Sequence, residues 1–191
     1  PELRDMLNRP ELRQLAQRAT NWAGYADGVA SAGRNAASVA RRVELLAEAA
    51  RTRLDLLDDP SGAVDLYQEA LAQDGAGERE QLMVSRRLSE LYSRVDRPRE
   101  RLDLLERLAV LEQGDAAQRG VLGTAARLAE SLGEPARALA LWQRRIDADP
   151  TDLPALDARI VLLETVQRWD DLITTLELRA NLTPSPAQKR T

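Results

Sequence analysis

The chain has 191 residues, 43% apolar and 30% charged, with a formal net charge of −4 and neither Cys nor His. It can therefore offer no thiolate nucleophile, no imidazole acid or base, no disulfide framework and no zinc site of the usual ligands. Thirty-two leucines, no Phe and only 3% aromatics suit closely packed helices rather than a sandwich of Val, Tyr and Thr.

No run approaches the roughly 18 apolar residues that cross a bilayer, and no signal-peptide core opens the chain. A soluble piece of a longer protein is expected, with no membrane insertion and a cytoplasmic location. The bases are 26 Arg and one Lys, a bias that fits a GC-rich coding genome.

In chain order, residues 1–9 read as an N-terminal cap or the remnant of an earlier repeat. From there a Trp or Pro recurs at the start of an amphipathic helical stretch: Trp22, Pro60, Pro98, Pro135 and Trp169, at nearly even intervals. The stretch 35–57 reads as one long helix, with Val39, Val43, Leu46, Ala50, Leu54 and Leu57 on one face. Ser85, Leu88, Ser89 and Tyr92 mark another helix, and the Gly-rich stretches at 75–77 and 114–116 lengthen the turns between units.

The clearest unit runs from about Arg119 to Asp152. Leu122, Ala125, Ala126, Leu128, Ala129 and Leu132 form one apolar face, Gly133 ends that helix, and Pro135 opens the next because a first-turn proline sacrifices no intrahelical bond. Ala138, Leu139, Leu141, Trp142 and Ile146 give its buried side. Asp149-Pro150 closes the pair, and Thr151 or Asp152 caps the following helix. The polar stretch 183–191 reads as a tail.

A helix pair recurring at this interval cannot bury its own apolar face and needs neighbours, so the period predicts a stacked helical solenoid. The units fall at about 10–35, 36–77, 78–115, 116–151 and 152–182. Ala138-x3-Trp142 with Pro150, and Ala63-x3-Tyr67 after Asp59-Pro60, resemble the second helix of the tetratricopeptide repeat. There a small residue faces the helix crossing and an aromatic one turn later fills the gap beside it. Arg101, Leu172 and Tyr25 stand where the small residue is expected, so the repeats are degenerate. The resemblance implies an all-α, right-handed α-solenoid of about five helix-turn-helix repeats, with all six aromatics packed between helices.

The resemblance also implies a concave groove lined by the first helix of each pair. Carried onto this chain, its exposed positions are Glu48, Thr52 and Asp55, then Arg86, Arg87, Glu90 and Arg94, then Thr124, Arg127 and Glu130, then Asp157, Val161 and Glu164. The central arginines match carboxylates bidentately and point to an acidic peptide or protein partner. Chaperone-binding members hold a terminal carboxylate with a base and paired Asn residues. Here Glu90 and Thr124 stand where the Asn residues belong, so that ligand is not expected.

The functional expectation is a non-catalytic protein-interaction scaffold without cofactor or metal. The alternatives are a self-associating array, including a homodimer through exposed solenoid ends, and an RNA-binding repeat. Nucleic acid is disfavoured because Asp96, Glu100 and Asp103 interrupt the run Arg94, Arg97, Arg99, Arg101 and the net charge is acidic.

Overall fold

The computed structural model describes residues 21–182. Within them lie nine α-helices and no strand: α1 (Trp22–Arg34), α2 (Val39–Leu57), α3 (Pro60–Leu71), α4 (Glu78–Arg94), α5 (Pro98–Leu111), α6 (Asp115–Ser131), α7 (Pro135–Ala148), α8 (Leu153–Thr165) and α9 (Trp169–Leu182). Each residue of the Trp/Pro recurrence opens a helix. The cap over 1–9, the first helix of the 10–35 unit and the tail over 183–191 lie outside the described residues.

Side chains ahead of the helices set several starts. Asp59 accepts a bond from the Gly62 N–H at 2.8 Å, Asp152 from Ala155 at 3.1 Å and Asn21 from Gly24 at 3.0 Å, each satisfying a first-turn donor that has no partner within the helix. The long helix expected over 35–57 begins instead at Val39, because Asn35 closes α1 and the Ser38 hydroxyl caps α2.

The turns leading into α3, α5, α7 and α9 share one conformation. The residue two before each opening position is left-handed: Asp58 (φ 50), Asp96 (φ 53), Gly133 (φ 72) and Gln167 (φ 59). In three of them the next N–H reaches back five residues, Arg97 to Tyr92, Glu134 to Ala129 and Arg168 to Leu163, satisfying a carbonyl at the end of the preceding helix. One turn geometry thus recurs although only one of the four residues is glycine.

The chain divides into two compact units, Pro1–Leu104 and Leu105–Thr191. In the first, α1, α2, α3 and α4 pack in succession and α2 also meets α4. Ala49, Ala50, Ala63 and Val64 are wholly buried, with Leu46, Leu88 and Leu91 around them. Ser85, Leu88, Ser89 and Tyr92 are all buried, as their spacing predicts.

In the second unit α6 packs on α7, α7 on α8 and α8 on α9. Ala125, Ala126, Ala129 and Ala138 are wholly buried, allowing close helix approach, while Leu122, Leu141, Leu156 and Leu163 fill the remaining space. Trp142 is 2% exposed. Its Nε1 donates to Glu130 Oε1 at 2.6 Å, and the Arg127 and Arg145 guanidinium carbons lie 5.9 and 5.7 Å from its ring centroid.

Not every aromatic enters the core. Trp169 is 56% exposed, against expectation, because no described helix packs on the outer side of α9. Where the small residue is missing, polar atoms carry the consequence. The Arg101 Nε is buried without a hydrogen bond, and the Tyr25 hydroxyl donates to Glu48 Oε1 at 2.5 Å.

Candidate functional site

One cavity of the first unit is built from α2, α3 and α4. Arg51, Leu54 and Asp55 come from α2, Tyr67 from α3, and Arg87, Glu90, Leu91 and Arg94 from α4, enclosing a cavity of about 270 Å³. The α4 contributors recur at three- and four-residue intervals, so one helix face supplies all four. A second concavity of about 580 Å³ shares Arg51 and Asp55 and adds Glu48, Thr52 and Leu56.

Three arginines and two carboxylates line the first cavity. Arg87 Nη1 and Glu90 Oε2 pair at 3.1 Å, both ends exposed, so that pair adds little. Arg51 donates through Nε to the Ala47 carbonyl at 3.3 Å, and among the described residues neither Arg51 nor Arg94 forms an ion pair. The cavity therefore offers two guanidinium groups whose charge is not neutralised by a bonded partner. Tyr67 lies beneath them. Burial pushes its phenol up from the ordinary tyrosine range, against the opposite pull of Arg51 and Arg87, so it remains a neutral hydroxyl in ordinary buffers.

The structure thus brings together Arg87, Glu90, Arg94 and Asp55 of the sequence-derived groove. Arg86 is exposed on α4 but does not line either cavity. Two positions assigned to the exposed groove are otherwise employed. Thr52 is buried, its hydroxyl donating to the Glu48 carbonyl at 3.0 Å, and Glu48 accepts from Tyr25.

Thr124, Arg127, Glu130 and Asp157 lie in the second unit. Thr124 returns its hydroxyl to the Gly120 carbonyl at 2.9 Å. Arg127 and Glu130 are exposed but bound to Trp142, and Asp157 pairs with Arg179, which holds its carboxyl below the ordinary carboxylate range. Val161 and Glu164 are exposed. Sequence reasoning overlooked Arg51 and the floor position of Tyr67. The Arg51–Asp55 spacing of one helical turn was a signal for the former, whereas the latter depends on how α3 packs.

Among the described residues no group of His, Cys, Asp or Glu could hold a metal ion, and no helix is long and apolar enough to cross a membrane.

No protein-family model matches the chain, and no curated protein matches it in sequence. Solved structures do. A putative kinesin light chain of Podosopora anserina, described as having nearly identical TPR-like repeats, matches at 13% identity in its Q17M form, covering 100% of this chain and 99% of that one with a TM-score of 0.52. Another structure of the same protein matches at 14% over 90% and 92% of the two chains, TM-score 0.51. MamA from AMB-1 matches at 15%, covering 90% and 92%, TM-score 0.52. At such identities the likeness is one of fold, and it agrees with the helix order and the recurrent turn: the chain has the all-α fold of tetratricopeptide-like repeat solenoids, with degenerate repeats.

Proposed function

We propose that this protein is a non-catalytic interaction scaffold whose units fall at about 10–35, 36–77, 78–115, 116–151 and 152–182. Its first unit receives an acidic, partly apolar peptide segment along α2 and α4. The observation that carries this reading is the pair Arg51 and Arg94, neither ion-paired among the described residues, on the walls of one cavity. A carboxylate entering there gains charge-assisted bonds without breaking an existing ion pair. Leu54, Leu91 and the exposed Leu56 supply apolar contact beside it. Because the walls are packed helices, binding costs little ordering entropy.

The test is a fluorescence-anisotropy screen of labelled nine-residue peptides, with Glu/Leu, Lys/Leu and Ser/Leu sequences as probes. The Glu/Leu peptides bind best, more weakly as salt rises. Arg51→Glu and Arg94→Glu, both at solvent-exposed side chains, each lower affinity about tenfold or more. Equal binding of the three probe classes, or unchanged affinity in both variants, would overturn the proposal.

A further inference from the structure

The three tyrosines of the chain are not equally satisfied. Tyr25 donates to Glu48, and Tyr92 accepts from Gln68 Nε2 at 2.8 Å. Tyr67, 2% exposed, lines the cavity between α2, α3 and α4, and among the described residues its hydroxyl has no hydrogen-bond partner. A phenylalanine would fill the same core space, and a buried phenol ordinarily finds a partner. The charged groups that act on the phenol are Arg51, Arg87, Asp55 and Glu90, all from the cavity lining, so its hydroxyl end is directed at them.

The second unit holds the same arrangement in completed form. Ala138-x3-Trp142 is the counterpart of Ala63-x3-Tyr67. The Trp142 indole N–H donates to Glu130 Oε1 at 2.6 Å, with Arg127 and Arg145 beside the ring. Glu130 precedes Trp142 by 12 residues, as Asp55 precedes Tyr67. Asp55 is one methylene shorter; it lines the cavity without bonding the phenol. The first unit thus has the aromatic donor and the guanidinium groups but lacks the carboxylate that would join them.

The three arginines and two carboxylates of the lining leave one positive charge in excess. One carboxylate balances it, whereas a phosphate dianion overshoots it. At about 270 Å³ the cavity is smaller than the roughly 300–1,000 Å³ of pockets that enclose whole small ligands, so a single side chain is the fitting occupant. We propose that a glutamate side chain of the bound peptide enters this cavity and accepts from the Tyr67 hydroxyl, taking the place that Glu130 takes beside Trp142. The inference rests on the acidic-peptide reading of the same cavity and names the residue that selects the carboxylate. A glutamine in that place forfeits the charge-assisted bond.

The test uses nine-residue Ser/Leu peptides, blocked at both ends and labelled with an uncharged dye, that carry one central Glu, Gln or phosphoserine. Fluorescence anisotropy reads their binding to the 191-residue chain. Tyr67→Phe keeps the ring in the core and leaves the melting curve unchanged, since the hydroxyl holds no bond. It weakens the Glu peptide about tenfold or more and leaves the Gln peptide as it was. The phosphoserine peptide binds less tightly than the Glu peptide, because Asp55 and Glu90 oppose its second charge. Asp55→Glu extends a carboxylate toward the phenol as Glu130 extends one to Trp142, so it also weakens the Glu peptide, and that effect vanishes in the Tyr67→Phe background. If Arg51→Glu and Arg94→Glu weaken the Glu peptide while Tyr67→Phe or Asp55→Glu does not, this inference falls and the acidic-peptide reading stands. It falls equally if Tyr67→Phe weakens the Glu and Gln peptides alike, or if phosphoserine binds more tightly than Glu. A wild-type chain with no preference for Glu over Gln overturns both.

Discussion

Replacing Trp142 by Ala tests the packing of the second unit. The side chain is 2% exposed, so truncation returns to water roughly 200 Å² that an aromatic of this size buries. At about 25 cal/mol per Å² that is about 5 kcal/mol, reduced to about 3–4 because the unfolded chain already buries part of it. The bond from Nε1 to Glu130 adds about 0.5–1 kcal/mol, since the exposed carboxylate is resolvated. The two guanidinium contacts add about 0.5–1 kcal/mol each. A total loss of about 4.5–7 kcal/mol is expected, at or above the upper end of aromatic truncations in cores. Urea unfolding followed by far-UV circular dichroism measures it, with Trp142→Phe as companion. The Phe variant keeps most of the buried ring and should lose less than half as much. An Ala variant that costs less than a third of the expected loss, or a Phe variant as damaging as Ala, would refute the assignment of this energy to burial.

Gly123 of α6 lies where an added Cβ would come 2.2 Å from Arg145 Nη1, and Arg145 is held by Asp152 at 2.7 Å and lies against Trp142. Gly123→Ala should therefore destabilise despite the roughly 1 kcal/mol gain in helix propensity. In an Arg145→Ala background the same change should stabilise, and thermal melts of the four proteins would show whether the sign fails to reverse. Gln167 adopts φ 59 at the turn into α9, so Gln167→Gly should raise stability by about 0.5–1 kcal/mol in urea unfolding. A loss would contradict the left-handed turn. Arg159 is partly buried with Nε unbonded, and burial lowers its pKa. Its Nη1 donates to Thr175 Oγ1, which separately bonds the Asp171 carbonyl. Arg159→Met should thus be neutral or stabilising by about 1–2 kcal/mol, and a melt showing a clear loss would count against it. The Asp59 carboxyl is held below its ordinary range first by the Gly62 N–H and then by Arg53. Its contribution is therefore complete above about pH 4 and lost as pH falls further. The melting-temperature gap between wild type and Asp59→Asn should be present at pH 7 and close toward about pH 2; a pH-independent gap would contradict the linkage.

Much of the helix order was legible in the chain because its signals are local. Pro60, Pro98 and Pro135 can open helices but not continue them, and the apolar spacing around Ala138 and Trp142 has a helical period whatever packs on it. The recurrent turn was legible only at Gly133. Asp58, Asp96 and Gln167 adopt the same left-handed conformation, but nothing in their identity marks it as glycine does. The groove was half legible for a similar reason. Helical periodicity finds the exposed face of α4, hence Arg87, Glu90 and Arg94, but whether a polar residue at such a position faces solvent depends on the neighbouring helix. Thr52 is covered, and Glu130 is turned to the Trp142 indole.

By itself the sequence determined the period, the positions at which the second helix of each pair begins, and the small-then-large pattern of the crossings, because these follow from backbone sterics and side-chain volume. Tertiary structure decided which charges are engaged by neighbours and which stay available. Arg145, Arg53 and Arg137 are tied into ion pairs, while Arg51 and Arg94 form none among the described residues. It also decided that Trp142 is core while Leu176, its equivalent one repeat later, is surface. The reason is that burial and pairing belong to the space between helices, and that space depends on what packs next.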